Sequence, residues 1–124
     1  MSPVSVAPPL YVPYTDVFGP RGVRMHTGVD FPAPSGTPVL AARAGIVTVT
    51  RWLDGYGNTI ALKHKLGAST VYAHLSAFLV RPGERVAAGQ PIGRVGATGS
   101  ATGPHLHFEL RVRGAAIDPV PAFR

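Results

Sequence analysis

Apolar and polar residues alternate along much of this chain. In GPHLHFEL, residues 103–110, Leu106, Phe108 and Leu110 share one parity, and His105, His107 and Glu109 share the other. Residues i, i+2 and i+4 of a strand line one face, so this stretch predicts a half-buried strand with two imidazoles and a carboxylate opposite the core. In NTIALKHK, His64 falls on the apolar side with Ile60 and Leu62, while Lys63 and Lys65 take the other face. In STVYAHLS, Val71, Ala73 and Leu75 read as the apolar face, with Thr70, Tyr72 and His74 opposite.

The same reading predicts a β-rich run from about Val39 to Trp52 and short strands near Glu84–Val86 and Pro91–Val95. LDGYGN at 53–58 carries hairpin turn signals, and a second turn falls at Leu66–Ala68. Residues 15–31 read as a loop, residues 1–12 as an extended N-terminal segment, 13–120 as the domain and 121–124 as a tail. VLAARAGIVTV and RVAAGQPIGRV are faintly alike, hinting at an internal pseudo-repeat. No ten-residue stretch follows a helical period. The expectation is an all-β domain, an antiparallel sandwich or partly closed barrel.

Composition narrows the chemistry. A chain of 124 residues builds one core, and 15 glycines with 13 prolines favour short strands and tight turns. With no cysteine, disulfides and thiolate chemistry are excluded, so any metal must sit on His, Asp or Glu. Twelve basic against six acidic residues give a net charge of +6. The arginines are scattered without an aromatic platform, so no nucleic-acid partner is expected, and an anionic cell wall remains a candidate partner. No stretch has the length of a membrane span, so no membrane insertion is expected, and no signal peptide is seen in this chain.

A single histidine on a strand is usually a hydrogen-bonded bystander, whereas a pair at i, i+2 points to a metal or catalytic role. HTGVDF, residues 26–31, supplies complementary groups: in extended chain His26 and Asp30 share a face. Gly28 and the following FPAP disfavour a helix there. With His107 the set is His, Asp, His, a three-ligand zinc site with an open position suited to activating water against a carbonyl. The HExxH motif is absent. Parity makes His64 structural and leaves His74 free to act as a general acid or base beside the metal.

FGPR…HTGVDF, YGNTIALKH, TVYAHLS, AGQPIGRVGATGSATGPHLHFEL and IDP, in this order from about Val12 to Pro119, resemble the M23 peptidases. These are the lysostaphin- and LytM-like zinc endopeptidases of bacterial cell walls. The resemblance implies a duplicated, lysostaphin-like antiparallel β fold with a narrow groove. It also implies one Zn²⁺ held by His26, Asp30 and His107, a catalytic pair of His74 and His105, and cleavage of peptidoglycan stems or cross-bridges. In the mechanism it implies, the metal binds the scissile carbonyl oxygen and activates a water; His74 or His105, or both, take its proton and pass one to the leaving amine. Some members carry tyrosine in a Tyr-Gly step before HxxxD, where this chain has Phe18-Gly19.

Tyr72 and Asn58 are candidates for substrate contact, the alternative being ordinary strand and turn residues. Glu109 either orients a histidine or is a solvated surface charge. The expected protein is a monomer in the extracellular space, the periplasm, the cell wall or a phage virion. A catalytically inactive homologue that binds peptidoglycan or activates a partner hydrolase would lack ligands, and all three are present. A lipoyl or biotinyl carrier needs a lysine at a hairpin tip, and a phosphohistidine module would not need Asp30 beside His26.

Overall fold

The computed structural model describes residues 5–124 and folds them almost wholly as strands. In chain order these are β1 (Gly19–Arg21), β2 (Arg24–His26), β3 (Val29–Pro32), β4 (Pro38–Leu40), β5 (Gly45–Leu53) and β6 (Gly57–Lys63). They continue as β7 (Ala68–Phe78), β8 (Arg85–Val86), β9 (Pro91–Val95), β10 (His105–Val112) and β11 (Ala115–Ile117). A single 3₁₀ turn, Val120–Ala122, follows. Every strand pair is antiparallel. No described helix is long and apolar enough to cross a membrane.

The main sheet runs β11-β10-β7-β6-β5-β8, with β3 on β10, and β9 joining β7 to β4. Alternation in β10 is realised as read: Leu106, Phe108 and Leu110 are wholly buried. They pack with Phe31, Ile60, Leu62, Leu75 and Ile92 in one core. Burying each such side chain contributes roughly 1.5–3 kcal/mol, so this one face dominates the stability of the site above it.

β7 departs from simple alternation. Ile60 pairs with Tyr72 and Asn58 with Leu75, so Ala73 and His74 stand against Thr59 alone. This is a β-bulge, and His74 occupies it with φ of 64°, a left-handed value that non-glycine residues adopt at a cost. Before the bulge β7 pairs with β10 as far as Ala73 opposite His107; after it, from Leu75, β7 pairs with β9. His74 therefore sits where the strand passes from one neighbour to the other.

Other expectations are corrected by the fold. Residues 15–31 are not a loop: β1 and β2 form a hairpin and β3 joins the sheet. Three-residue strands are too short to show a period. The Val39–Trp52 run is interrupted at 41–44, and β11 was not anticipated. Residues 1–4 of the N-terminal segment lie outside the described residues. Of its remaining residues, Val6 and Leu10 are buried in the core, and Val6 bonds Ala122 and Arg124 through the backbone. The two faintly similar stretches pair reciprocally, Val39 with Gly93 and Gly45 with Val86.

Candidate metal centre

Strand register brings the first two groups together. Asp30 of β3 lies directly opposite His107 of β10, and Asp30 Oδ1 is 2.9 Å from His107 Nδ1. His26 ends β2, and its Nε2 is 3.3 Å from the same oxygen. Gly28 lets the chain cross β10 at this point, since a Cβ there would lie 2.1 Å from the Phe108 carbonyl oxygen. One ligand atom each from His26, Asp30 and His107 falls within 4.8 Å of the others.

The outer hydrogen bonds decide which nitrogens face inward. His26 Nδ1 lies 2.8 Å from the Val17 carbonyl, which only accepts, so Nδ1 carries the proton and Nε2 presents a lone pair. His107 Nε2 donates to Glu109 Oε2 at 2.9 Å, leaving Nδ1 as the inward lone pair. Two lone pairs and a carboxylate thus converge without a donor between them, an arrangement that requires a cation. Without metal, a proton fills the gap. Burial opposes charge on His107, but Asp30 and Glu109 on its two nitrogens outweigh it and push the imidazole up to about 9. Burial also works against the Asp30 charge, yet His107, His26 and His105 hold its carboxyl below the usual range. The donor set fits a divalent metal.

Glu109 is a wholly buried carboxylate, not a solvated surface charge. Its Oε2 accepts from Thr27 Oγ1 at 2.6 Å, from the Tyr56 hydroxyl and from His107; its Oε1 accepts from Arg111 Nε at 2.8 Å. Burial alone would raise its pKa, but these donors bring it down to about 2. A histidine ligand fixed through its far nitrogen by a carboxylate is the usual support for a metal site.

His74 and His105 stand beside the three, with ring centroids 4.7 Å apart. His74 Nδ1 donates to the Thr98 carbonyl at 2.7 Å and His105 Nδ1 to the Gly103 carbonyl at 2.9 Å. Each is thereby left with a lone pair on Nε2, and that of His105 is 3.9 Å from Asp30 Oδ2. Burial, reinforced by the neighbouring imidazoles, lowers the His74 pKa. His74 is further held by its backbone N–H, which donates to the Tyr56 carbonyl at 2.8 Å.

All five residues line one groove of about 410 Å³. Arg24 and Met25 form one part of its wall, and Asp54–Tyr56 with Ser100–Thr102 form a second. The second wall is two loops in backbone contact: a Cβ on Gly57 would lie 2.5 Å from the Thr98 carbonyl carbon. Asn58 is part of that joint. Its amide side chain donates to the Leu75 carbonyl and its backbone N–H to Thr98 Oγ1, so it braces the wall and is not among the groove-lining residues.

Tyr72 is not in the groove either. It is wholly buried, and its hydroxyl accepts from the Ala42 N–H at 2.9 Å and bonds Thr70 Oγ1. The bulge explains the error: parity counted back from His74 puts Tyr72 on the site face, but the extra residue reverses the phase. His64 is structural, as expected, with Nδ1 on the Ala44 carbonyl and Nε2 on Thr70 Oγ1. Phe18 does not line the groove; the tyrosine that does is Tyr56, which the sequence offered only as a turn residue. Thr27 and Arg111 were likewise missed. Arg111 continues the alternation of His105, His107 and Glu109 along one strand, a signal that could have raised it, whereas Thr27 is 82 residues from Glu109 and has none.

A family model described as peptidase family M23 matches residues 24–119. The chain is 46% identical to the DD-carboxypeptidase/endopeptidase Mpg of Neisseria meningitidis, over 86% of this chain and 27% of that protein. It is 45% identical to the peptidoglycan DD-endopeptidase ShyA of Vibrio cholerae, over 82% of this chain and 24% of that protein. It thus spans about a quarter of the length of these relatives. The solved catalytic domain of the antimicrobial peptidase lysostaphin from Staphylococcus simulans superposes with a TM-score of 0.82 at 39% identity, covering 89% of this chain and 90% of that one. A zinc-containing peptidase from Vibrio cholerae superposes with a TM-score of 0.83 at 38% identity, covering 93% and 38% of the two chains. With its lysostaphin-like, all-antiparallel β fold, the chain belongs to peptidase family M23.

Proposed function

We propose that this domain is a zinc-dependent endopeptidase that hydrolyses peptide bonds in the stems or cross-bridges of bacterial peptidoglycan. The observation that carries the reading is the convergence of one ring nitrogen each from His26 and His107 on Asp30 Oδ1, with a second pair of histidines at the same groove. His26 through Nε2, His107 through Nδ1 and Asp30 through its carboxylate would hold one Zn²⁺. When bound, the metal supplies Lewis acidity, polarising the scissile carbonyl and making water nucleophilic near neutral pH.

The chain's own residues do the rest. His74 and His105 each present a free Nε2 beside the ligand cluster. They accept the proton of the attacking water and return one to the leaving amine. As imidazolium, either adds positive charge where the carbonyl oxygen becomes anionic. The lowered pKa of His74 keeps it in the base form at neutral pH. Glu109 positions His107, and the loops at 54–56 and 100–102 confine the peptide.

Relatives named as peptidoglycan DD-endopeptidases support the substrate class, and the reading that goes with it is a domain acting in the periplasm, the cell wall, the extracellular space or from a virion. The test is digestion of purified cross-linked peptidoglycan before and after chelation. The chelated protein is expected to release no muropeptide fragments and to recover on addition of zinc. Full activity in metal-free protein would refute the reading.

A further inference from the structure

The strand register carries a second pattern, away from the metal centre. Arg111 of β10 lies opposite Ser69 of β7, Ser69 opposite Lys63 of β6, Lys63 opposite Ile46 of β5, and Ile46 opposite Arg85 of β8. Directly paired residues project from the same face of a sheet. Five strands therefore contribute one row, Arg111–Ser69–Lys63–Ile46–Arg85, on the face that carries His107 and Glu109. Neighbouring strands are ~4.8 Å apart, so the three cations stand about 10 Å apart along roughly 19 Å. The adjacent row, nearer the groove, is apolar: Val71, Ala61 and Val49 lie opposite one another beside Glu109.

Two hollows follow this row. One shares Asp54 and Tyr56 with the metal groove and reaches Arg111 over Val49, Ala61 and Val71. The other, at the sheet edge, is bordered by Ile46, Lys63, Lys65 and Arg85. Among the described residues, the ion pairs made by lysine or arginine are Arg21–Asp16 and Arg111–Glu109, so Lys63, Lys65 and Arg85 have no carboxylate partner. Glu84, next to Arg85, instead accepts from the Arg81 backbone N–H. Both lysines of the chain stand here, around an isoleucine left 36% exposed.

We propose that this face binds a further stretch of the wall polymer, through acidic peptide stems that run from the groove toward the β8 edge. Their free carboxylates pair with Lys63, Lys65 and Arg85, and small methyl side chains rest on Val71, Ala61, Val49 and Ile46. Arg111, already held by Glu109, marks the start of the track and contributes less. The proposal rests on the peptidoglycan reading for its ligand and adds where the polymer is gripped outside the scissile bond.

The test compares Lys63→Glu/Arg85→Glu with Arg94→Glu/Arg124→Glu, which changes net charge equally at exposed positions outside the row. Sedimentation with insoluble purified peptidoglycan, under chelation to prevent digestion, reads binding; turnover of a soluble cross-linked stem-peptide dimer, with zinc, reads catalysis. Exposed charge pairs are individually weak, so the row variant should bind about tenfold more weakly, with the control within about twofold of wild type. Its kcat on the short dimer should be unchanged, and its binding loss should shrink with added salt. The milder Lys63→Gln/Arg85→Gln should lose about threefold, which guards against misfolding of the reversal. Equal sedimentation of the row and control variants overturns the proposal, as does wild-type protein that cuts the dimer but does not sediment. Wild-type protein that sediments through the row and never cuts the dimer would leave the row standing and refute the peptidase reading.

Discussion

The five histidines of the chain divide between two polar clusters on opposite faces of the main sheet. On the core face, His64 spends both ring nitrogens on neutral partners, Ala44 and Thr70, and the chain of hydroxyls ends at the Ala42 N–H through Tyr72. On the groove face, His26, His74, His105 and His107 each use one nitrogen outward, on a carbonyl or on Glu109, and turn the other inward. The difference is direction. A histidine whose partners close around it holds a fold together; histidines tied from behind with their lone pairs converging can hold a cation or move a proton.

The largest effect that would break this comparison is on the groove side. General acid–base catalysis is worth about 10²–10⁴-fold, so His74→Ala and His105→Ala should each lose that much turnover on cross-linked peptide. Wild-type rates in either would remove the variant residue from the chemistry. Glu109→Gln tests the tie from behind: loss of the carboxylate should weaken zinc by about 10–100-fold, measured by competition with a chelating dye. Unchanged affinity would make Glu109 a packing residue only.

The core cluster should respond in stability instead. His64→Gln should lower the melting temperature while leaving zinc content near wild type. Its wild-type pH dependence has a definite sign. Burial first, and then the Arg43 charge, hold His64 below its usual 6.5, so the unfolded chain takes up a proton that the fold does not. Stability therefore declines as pH falls through about 6.5 toward the folded pKa, and His64→Gln should flatten that slope in thermal melts. Smallest of all, Tyr72→Phe leaves the Ala42 N–H unpaired and should cost about 1–3 kcal/mol by denaturant titration, with KM unchanged. A raised KM would return Tyr72 to the groove.

Much of both clusters is legible in the sequence. The alternation of β10 placed His105, His107 and Glu109 opposite Leu106, Phe108 and Leu110 because an unbroken strand keeps its phase. β7 defeated the same logic at one residue. A bulge commonly announces itself with glycine, but here histidine occupies the left-handed position, and nothing in TVYAHL marks the change of phase. Tyr72 was misplaced for that reason alone, whereas His74 reached the groove because the bulge carried it there. Tyr56 and Thr27 were invisible because they reach Glu109 from distant parts of the chain, a tertiary fact that no local spacing encodes, whereas Arg111, two residues beyond Glu109 on β10, shares its face by the same alternation.

The central claim is the division of labour within HLH, in which His107 holds the metal and His105 moves the proton. The most direct test is zinc content by atomic absorption, measured beside turnover, for alanine variants of His26, Asp30, His107, His74 and His105. The account predicts that the first three purify without stoichiometric zinc and without activity, while His74→Ala and His105→Ala are folded, zinc-loaded and nearly inactive. Loss of metal from His105→Ala equal to that from His107→Ala would contradict it.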